Sequence, residues 1–239
     1  MRNRIAASAA AVALVAAVAA GCGGSSSSEV TTTVTTDAAT TAAASTTAPA
    51  TTAAATPTTA AQTVGEENLP PQDALAGVKT GTVQQLGSAT AFVDALYQAG
   101  DPSKPKAVSR LESAGYAGAA LRDQVGEDPS KGIALFRTYS VKLRDETAAQ
   151  GEVDAAADEV KAQTTAPTTD VAINDIPGAR GLRVEVDQGG VKGKVTFVTF
   201  AVGPYVYGLQ GVSTNDAALP QDEIIGAARD LYEKVTAAP

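Results

Sequence analysis

The chain of 239 residues contains no histidine, no tryptophan and a single cysteine. Without histidine it lacks the usual general base near neutral pH. It also lacks the commonest zinc ligand and any Ser-His-Asp or Cys-His arrangement. With one thiol, Cys22, no internal disulfide can form. Aromatic residues are scarce at 4%, and all ten fall between Phe92 and Tyr232. No Lys or Arg occurs between Arg4 and Lys79, and the chain as a whole carries 18 basic against 26 acidic residues. Nucleic-acid binders show clustered Lys and Arg, so that partner class is excluded. Docking on anionic lipid through a basic face is disfavoured for the same reason. Glycine-rich nucleotide-binding patterns are missing too: "QGGVKG" and "AGYAGAA" have too few glycines and the wrong surroundings.

What is present begins with an address. Arg2 and Arg4 form a short positive region, Ile5 to Ala20 is an uncharged Ala/Val/Leu run with one Ser, and small residues follow. This is the three-part pattern of a secretory signal, which is set aside in reasoning about fold. The apolar run is shorter than the roughly twenty residues of a membrane-spanning helix. The segment Ala19-Ala20-Gly21-Cys22 resembles the lipobox of bacterial lipoproteins, departing from it at Ala19, where Leu is commonest. The resemblance implies cleavage between Gly21 and Cys22 and a diacylglyceryl group on the Cys22 thiol. Two acyl chains hold a protein on a bilayer where one holds it only marginally. The expected location is therefore the outer face of the cell membrane, with residues 1–21 as signal peptide.

Residues 22–67 read as a disordered linker. From Gly23 to Gly65 there are 15 Thr, 12 Ala and 5 Ser in 43 residues, with no aromatic residue. Such a segment buries too little apolar surface to offset its conformational entropy. As a flexible coil it spans roughly 35 Å, and extended about 140 Å. Its Ser/Thr/Pro composition also suits an O-glycosylated stalk.

Residues 68–239 are long enough for one globular domain. Removing the charges of the signal and linker leaves sixteen basic and twenty-two acidic residues there. "SATAFVDALYQAG" predicts a helix capped by Ser88, "DPSKPK" a break, and "AVSRLESAG" a shorter helix. "YAGAALRDQV" and "IALFRTYS" predict a hairpin with a long loop. "SVKLRDETAAQGEVDAAADEVKAQ" predicts a long helix with Val141, Arg144, Ala148, Ala156 and Val160 at roughly helical spacing. "TDVAIND", "LRVEVD", "VKGKVTFVTFAV" and "YVYGLQGVS" predict a four-strand meander, and "QDEIIGAARDLYEKV" a closing amphipathic helix. Strict alternation in "LRVEVD" points to a strand with one wet face. The expected class is α+β, an antiparallel sheet packed against amphipathic helices. The element order, with "IPGARG" and "FVTFAVGPYVYGLQ", is similar to that of Mog1/PsbP-like domains of actinobacterial lipoproteins such as the LpqN group, over about Tyr116 to Val235. The resemblance places no functional residue.

Candidate chemistry is sparse. Ser103 and Lys106 have Ser-X-X-Lys spacing but sit in the predicted break. Asp154 and Asp158, with Glu159 adjacent, would share a helix face and suit a two-carboxylate hydrolase or a calcium site; a solvated face beside Lys161 and Arg144 explains them as well. Tyr205 and Tyr207 share one side of a strand, as do Phe197 and Thr199; the tyrosine pair would line a ligand pocket or a contact patch, or pack in the core and on the sheet surface. Arg180 beside "IPG" would hold an anion or stand in solvent. No catalytic residue, cofactor or metal ligand is assigned. The expected function is a non-enzymatic binding or scaffolding domain, anchored through Cys22, whose partner is a wall polymer, a protein or a lipid. The alternative is a carrier for an apolar ligand held between sheet and helices.

Overall fold

A computed structural model describes residues 64–128, 132–188, 191–214 and 221–237. Gly21, Cys22 and nearly all of the predicted linker lie outside these residues. Seven strands form one antiparallel sheet: β1 (Val83–Leu86), β2 (Gly118–Val125), β3 (Leu135–Lys142), β4 (Thr168–Val171), β5 (Arg180–Gln188), β6 (Val191–Val202) and β7 (Tyr205–Thr214). Their order across the sheet is β1-β2-β3-β7-β6-β5-β4. Four helices complete the fold: α1 (Ala89–Leu96), α2 (Lys104–Ser113), α3 (Glu146–Gln163) and α4 (Gln221–Ala237). The α+β class expected from the pattern is the one observed, with β1 added to it.

Local chemistry sets the element ends. The Ser88 Oγ accepts a hydrogen bond from the Ala91 N–H at 3.1 Å and starts α1. An Asp145 carboxylate oxygen does the same for the Ala148 N–H at 2.8 Å and starts α3. "SVK" therefore closes β3 instead of opening the long helix. Pro105 lies in the first turn of α2, where its missing N–H costs nothing. The predicted break is thus the start of a helix. The β6–β7 turn is Gly203-Pro204, and Gly203 takes a φ of 53°, which suits glycine.

The sheet is covered on both faces, a departure from the single wet face that alternation suggested. One face takes α1, α2 and α3, which pack Phe92, Val93, Leu111, Ala149 and Val153 against Ala119, Val141 and Val206. On the other, α4 packs Ile224, Ala228 and Leu231 against Phe136, Val198, Phe200 and Leu209. Residues 64–81 extend this second cover over β1 and β2. Val64, placed in the linker by composition, is buried with Leu69 and Ala120. The fully buried Arg122 donates to the carbonyls of Pro70 and Pro71. Gln124 donates to the carbonyls of Gln72 and Lys79, and Lys234 of α4 to that of Leu69. The expectation of one wet face holds only at the sheet margin: in β5, Glu185 and Asp187 are exposed while Leu182, Val184 and Val186 are buried.

Candidate functional site: a cavity under a paired arginine

On the first face a cavity of about 190 Å³ opens between the sheet and its three helices. Strand alternation supplies its floor. The register sets Leu182 opposite Phe197, Val184 opposite Val195, and Ala201 opposite Val206, so these side chains stand on one side of β5, β6 and β7. Phe92, Val93 and Leu96 of α1, Ala107 and Leu111 of α2, and Ala156, Ala157 and Val160 of α3 form apolar walls. Small alanines on α3, and valines where longer side chains would meet them, leave the space open. An engineered apolar cavity of about 150 Å³ takes up benzene, so this one has room for a ring or a short chain.

The densest polar group of the lining is a cluster around Arg110. Arg110 reaches from α2 to α3. Its Nε and Nη2 donate to the two Glu152 carboxylate oxygens at 2.8 and 3.0 Å, and its Nη1 donates to Glu159 Oε2 at 2.6 Å. Glu159 also accepts from the Tyr97 hydroxyl at 3.2 Å and from Gln163 Nε2 at 2.7 Å. Both carboxylate side chains are about nine-tenths buried, at 9% and 8% exposure. One guanidinium thus faces two carboxylates, and a full negative charge is left over. The electrostatics follow. Burial lifts the Glu152 carboxyl above its usual range, because desolvation outweighs the pull of Arg110. Burial also acts to lower the pKa of Arg110, but the hydrogen bonds and charge of Glu152 and Glu159 more than offset it. The Tyr97 hydroxyl is pushed up by burial first and by Glu159 second.

A further polar side chain, Gln210, lines the floor at 4% exposure. Its Nε2 has no hydrogen-bond partner. A buried donor without a partner costs about 1–3 kcal/mol. Tyr139 also lines the cavity, tilted edge-on against Phe92 with ring centroids 5.5 Å apart. Its ring rests on Gly208, where a Cβ would come within 2.0 Å of Cζ.

The residues singled out in the sequence are distributed differently. Phe197 and Thr199 line the cavity. Tyr205 and Tyr207 are on the opposite face, where Tyr207 stacks on Phe200 at 5.2 Å. Arg180 lies at the cavity and is taken by Asp154, with contacts of 2.7 and 2.8 Å. That same contact removes Asp154 from any carboxylate pair with Asp158, which is exposed. Lys161 pairs with Asp170, and Arg144 with Asp145. Ser103 and Lys106 do share the first turn of α2, contrary to the expectation of a broken link. The Ser103 Oγ, however, donates to Asp101 at 2.6 Å, and Lys106 is exposed. Among the described residues no three His, Cys, Asp or Glu side chains converge as a metal site requires.

Sequence reasoning passed over Arg110, Glu152, Tyr97 and Gln210, and named Glu159 only as a neighbour of the Asp154 and Asp158 pair. One signal for Glu152 was legible. It falls at helical spacing with Ala149, Val153 and Ala156, an acid set into an apolar stripe.

No family model matches the chain, and no curated protein does. Among solved structures, the extracellular domain of PknH from Mycobacterium tuberculosis aligns over 72% of this chain and 98% of that one, at 10% identity and a TM-score of 0.39. A similarity of that size decides neither fold nor function. The cavity therefore has to be read from its own geometry.

Proposed function

We propose that this domain binds a small, largely apolar ligand in the cavity between its sheet and helices α1–α3. It does so without catalysing a reaction on the ligand. The cavity carries this reading: about 190 Å³, walled largely by aliphatic and aromatic side chains, with a small number of polar groups set among them. Ligand sites share that build. The volume favours a single ring or short chain over a two-chain lipid, which narrows the carrier idea. The rest of the chain supplies the setting. The lipobox-like segment at Cys22 and the Thr/Ala/Ser-rich stretch after it would hold the domain on a tether at the outer face of the membrane. Among the described residues no helix is long and apolar enough to cross a bilayer.

Filling the cavity tests the reading. Ala157→Phe puts a ring into the space beside Val160. The full chain with native Ala157 should take up toluene, seen as shifts of the Val184 and Val195 methyl resonances, and the variant should not. Native protein showing no methyl shifts up to saturating toluene would refute the proposal.

A further inference from the structure

We infer that the ligand of this cavity is a small amphiphile with a protonated amine, its apolar body on the sheet floor and its cation against Glu152 and Glu159. The inference rests on the cavity reading above and names the chemistry it selects. Three observations carry it.

The first is the charge count around the cavity. Arg110 is shared between Glu152 and Glu159, so the cluster holds one more carboxylate than cation. The other arginine of the lining, Arg180, is paired with Asp154. Arg137, from the same face of the sheet, is paired with Asp123 through two contacts of 2.6 and 2.7 Å. Asp101, also at the cavity, has its carboxylate turned to the backbone N–H and hydroxyl of Ser103. Among the described residues, both arginines of the lining are therefore already paired, and the formal excess is negative.

The second is burial. The two glutamates are nine-tenths out of water, so solvent does little to screen their extra charge. A bound cation would supply the missing countercharge. An anionic head, such as a fatty carboxylate or a phosphate, would meet repulsion and find no free donor among the arginines.

The third is Gln210. Its amide is buried in the same cavity, and its Nε2 has no protein partner. Buried polar groups are nearly always paired; an ammonium only donates, so this N–H calls for an acceptor on the body of the guest, such as an ether or hydroxyl oxygen.

The test uses three probes of nearly one size: benzylammonium, benzyl alcohol and benzoate. Each is titrated at pH 7 into the full chain held in nanodiscs, and the Val184 and Val195 methyl shifts are followed. Benzylammonium should bind at least about tenfold more tightly than benzyl alcohol, and benzoate should not bind. Glu159→Gln should bring the ratio of cation to alcohol affinity close to one. Equal binding of benzyl alcohol and benzylammonium, or tighter binding of benzoate, overturns the inference and leaves the cavity reading standing. Failure of all three probes and of toluene overturns both. Methyl shifts by benzylammonium that persist in Ala157→Phe would place the cation on the surface and also overturn it. Because the three-probe ranking is read on unaltered protein, the test stands even if a variant fails to fold.

Discussion

Arg110 holds together two glutamates that would otherwise repel each other inside an apolar layer. A buried charge left without its partner costs about 3–5 kcal/mol. Arg110→Met should therefore destabilise the domain by about that amount at pH 7, measured by urea unfolding. The loss should shrink in acid. With Arg110 gone, desolvation acts on Glu152 unopposed and raises its folded-state pKa further. A carboxyl raised in the folded state stabilises below its unfolded value of about 4.3 and loses that contribution as pH rises through the folded value. The variant should therefore recover stability as the pH is lowered from neutral into that window. A deficit independent of pH would mean that the carboxylates are solvated. Gly208 is a second decisive residue, since the Tyr139 ring occupies the place of its side chain. Gly208→Ala should cost about 1–3 kcal/mol, as overpacking does. It should also push the Tyr139 ring toward the cavity and weaken toluene uptake in the same methyl assay.

At the scale of elements, the segment 64–81 belongs to the fold from its first residue, although residues 64–67 were placed in the linker by composition. It is the second cover of β1 and β2, and its hold comes from side chains of β2 and α4 that capture its carbonyls. Arg122 is central to this. It is fully buried, its nearest opposite charge is the exposed Glu66 at 3.5 Å, and burial lowers its pKa with only partial compensation from Glu66. Arg122→Met removes a costly buried charge and, because its ion-pair partner Glu66 is exposed, leaves no charge buried alone. The expected effect is local: amide hydrogen exchange at Leu69 and Ala74 should rise at least about tenfold while that of β3 and β7 stays unchanged. Uniform acceleration across the sheet would show Arg122 to be a global support instead. The same scale explains what pattern reading caught. Helices α1, α3 and α4 and strands β2 to β7 were legible because capping residues and apolar period are local properties. Strand β1 was not, since "VQQL" is too short and polar to show alternation. The start of α2 was misread because proline in a first turn looks, in sequence, like a break.

For the whole molecule, the proposed tether makes a prediction of its own. Intact-mass measurement on membrane-extracted protein should find a chain that begins at Cys22 and carries diacylglycerol. Cys22→Ala should accumulate as the uncleaved precursor. Cleavage at another position, with no added lipid mass, would leave a domain without an anchor. The acidic balance of the domain would keep neighbouring copies apart at a membrane surface. It would also raise the local concentration of small cations, the class that the cavity charge selects. Little of the site could be read ahead of the fold. Arg110 and Glu152 are 42 residues apart, Arg110 and Glu159 are 49, and neither spacing resembles a motif. Gln210 looks like any polar residue of a strand until its neighbours are known.

The sequence by itself determined the class of fold, the Thr/Ala/Ser-rich composition after Cys22 and the absence of histidine chemistry. Each depends on composition or on periodicity over a few residues. Only the tertiary structure decided that both sheet faces are covered, that Arg180 is spent on Asp154, and that two glutamates share one arginine above an open apolar space. Those outcomes depend on which distant segments meet. Packing and electrostatic balance are set by neighbours in space, and a linear pattern carries no record of them.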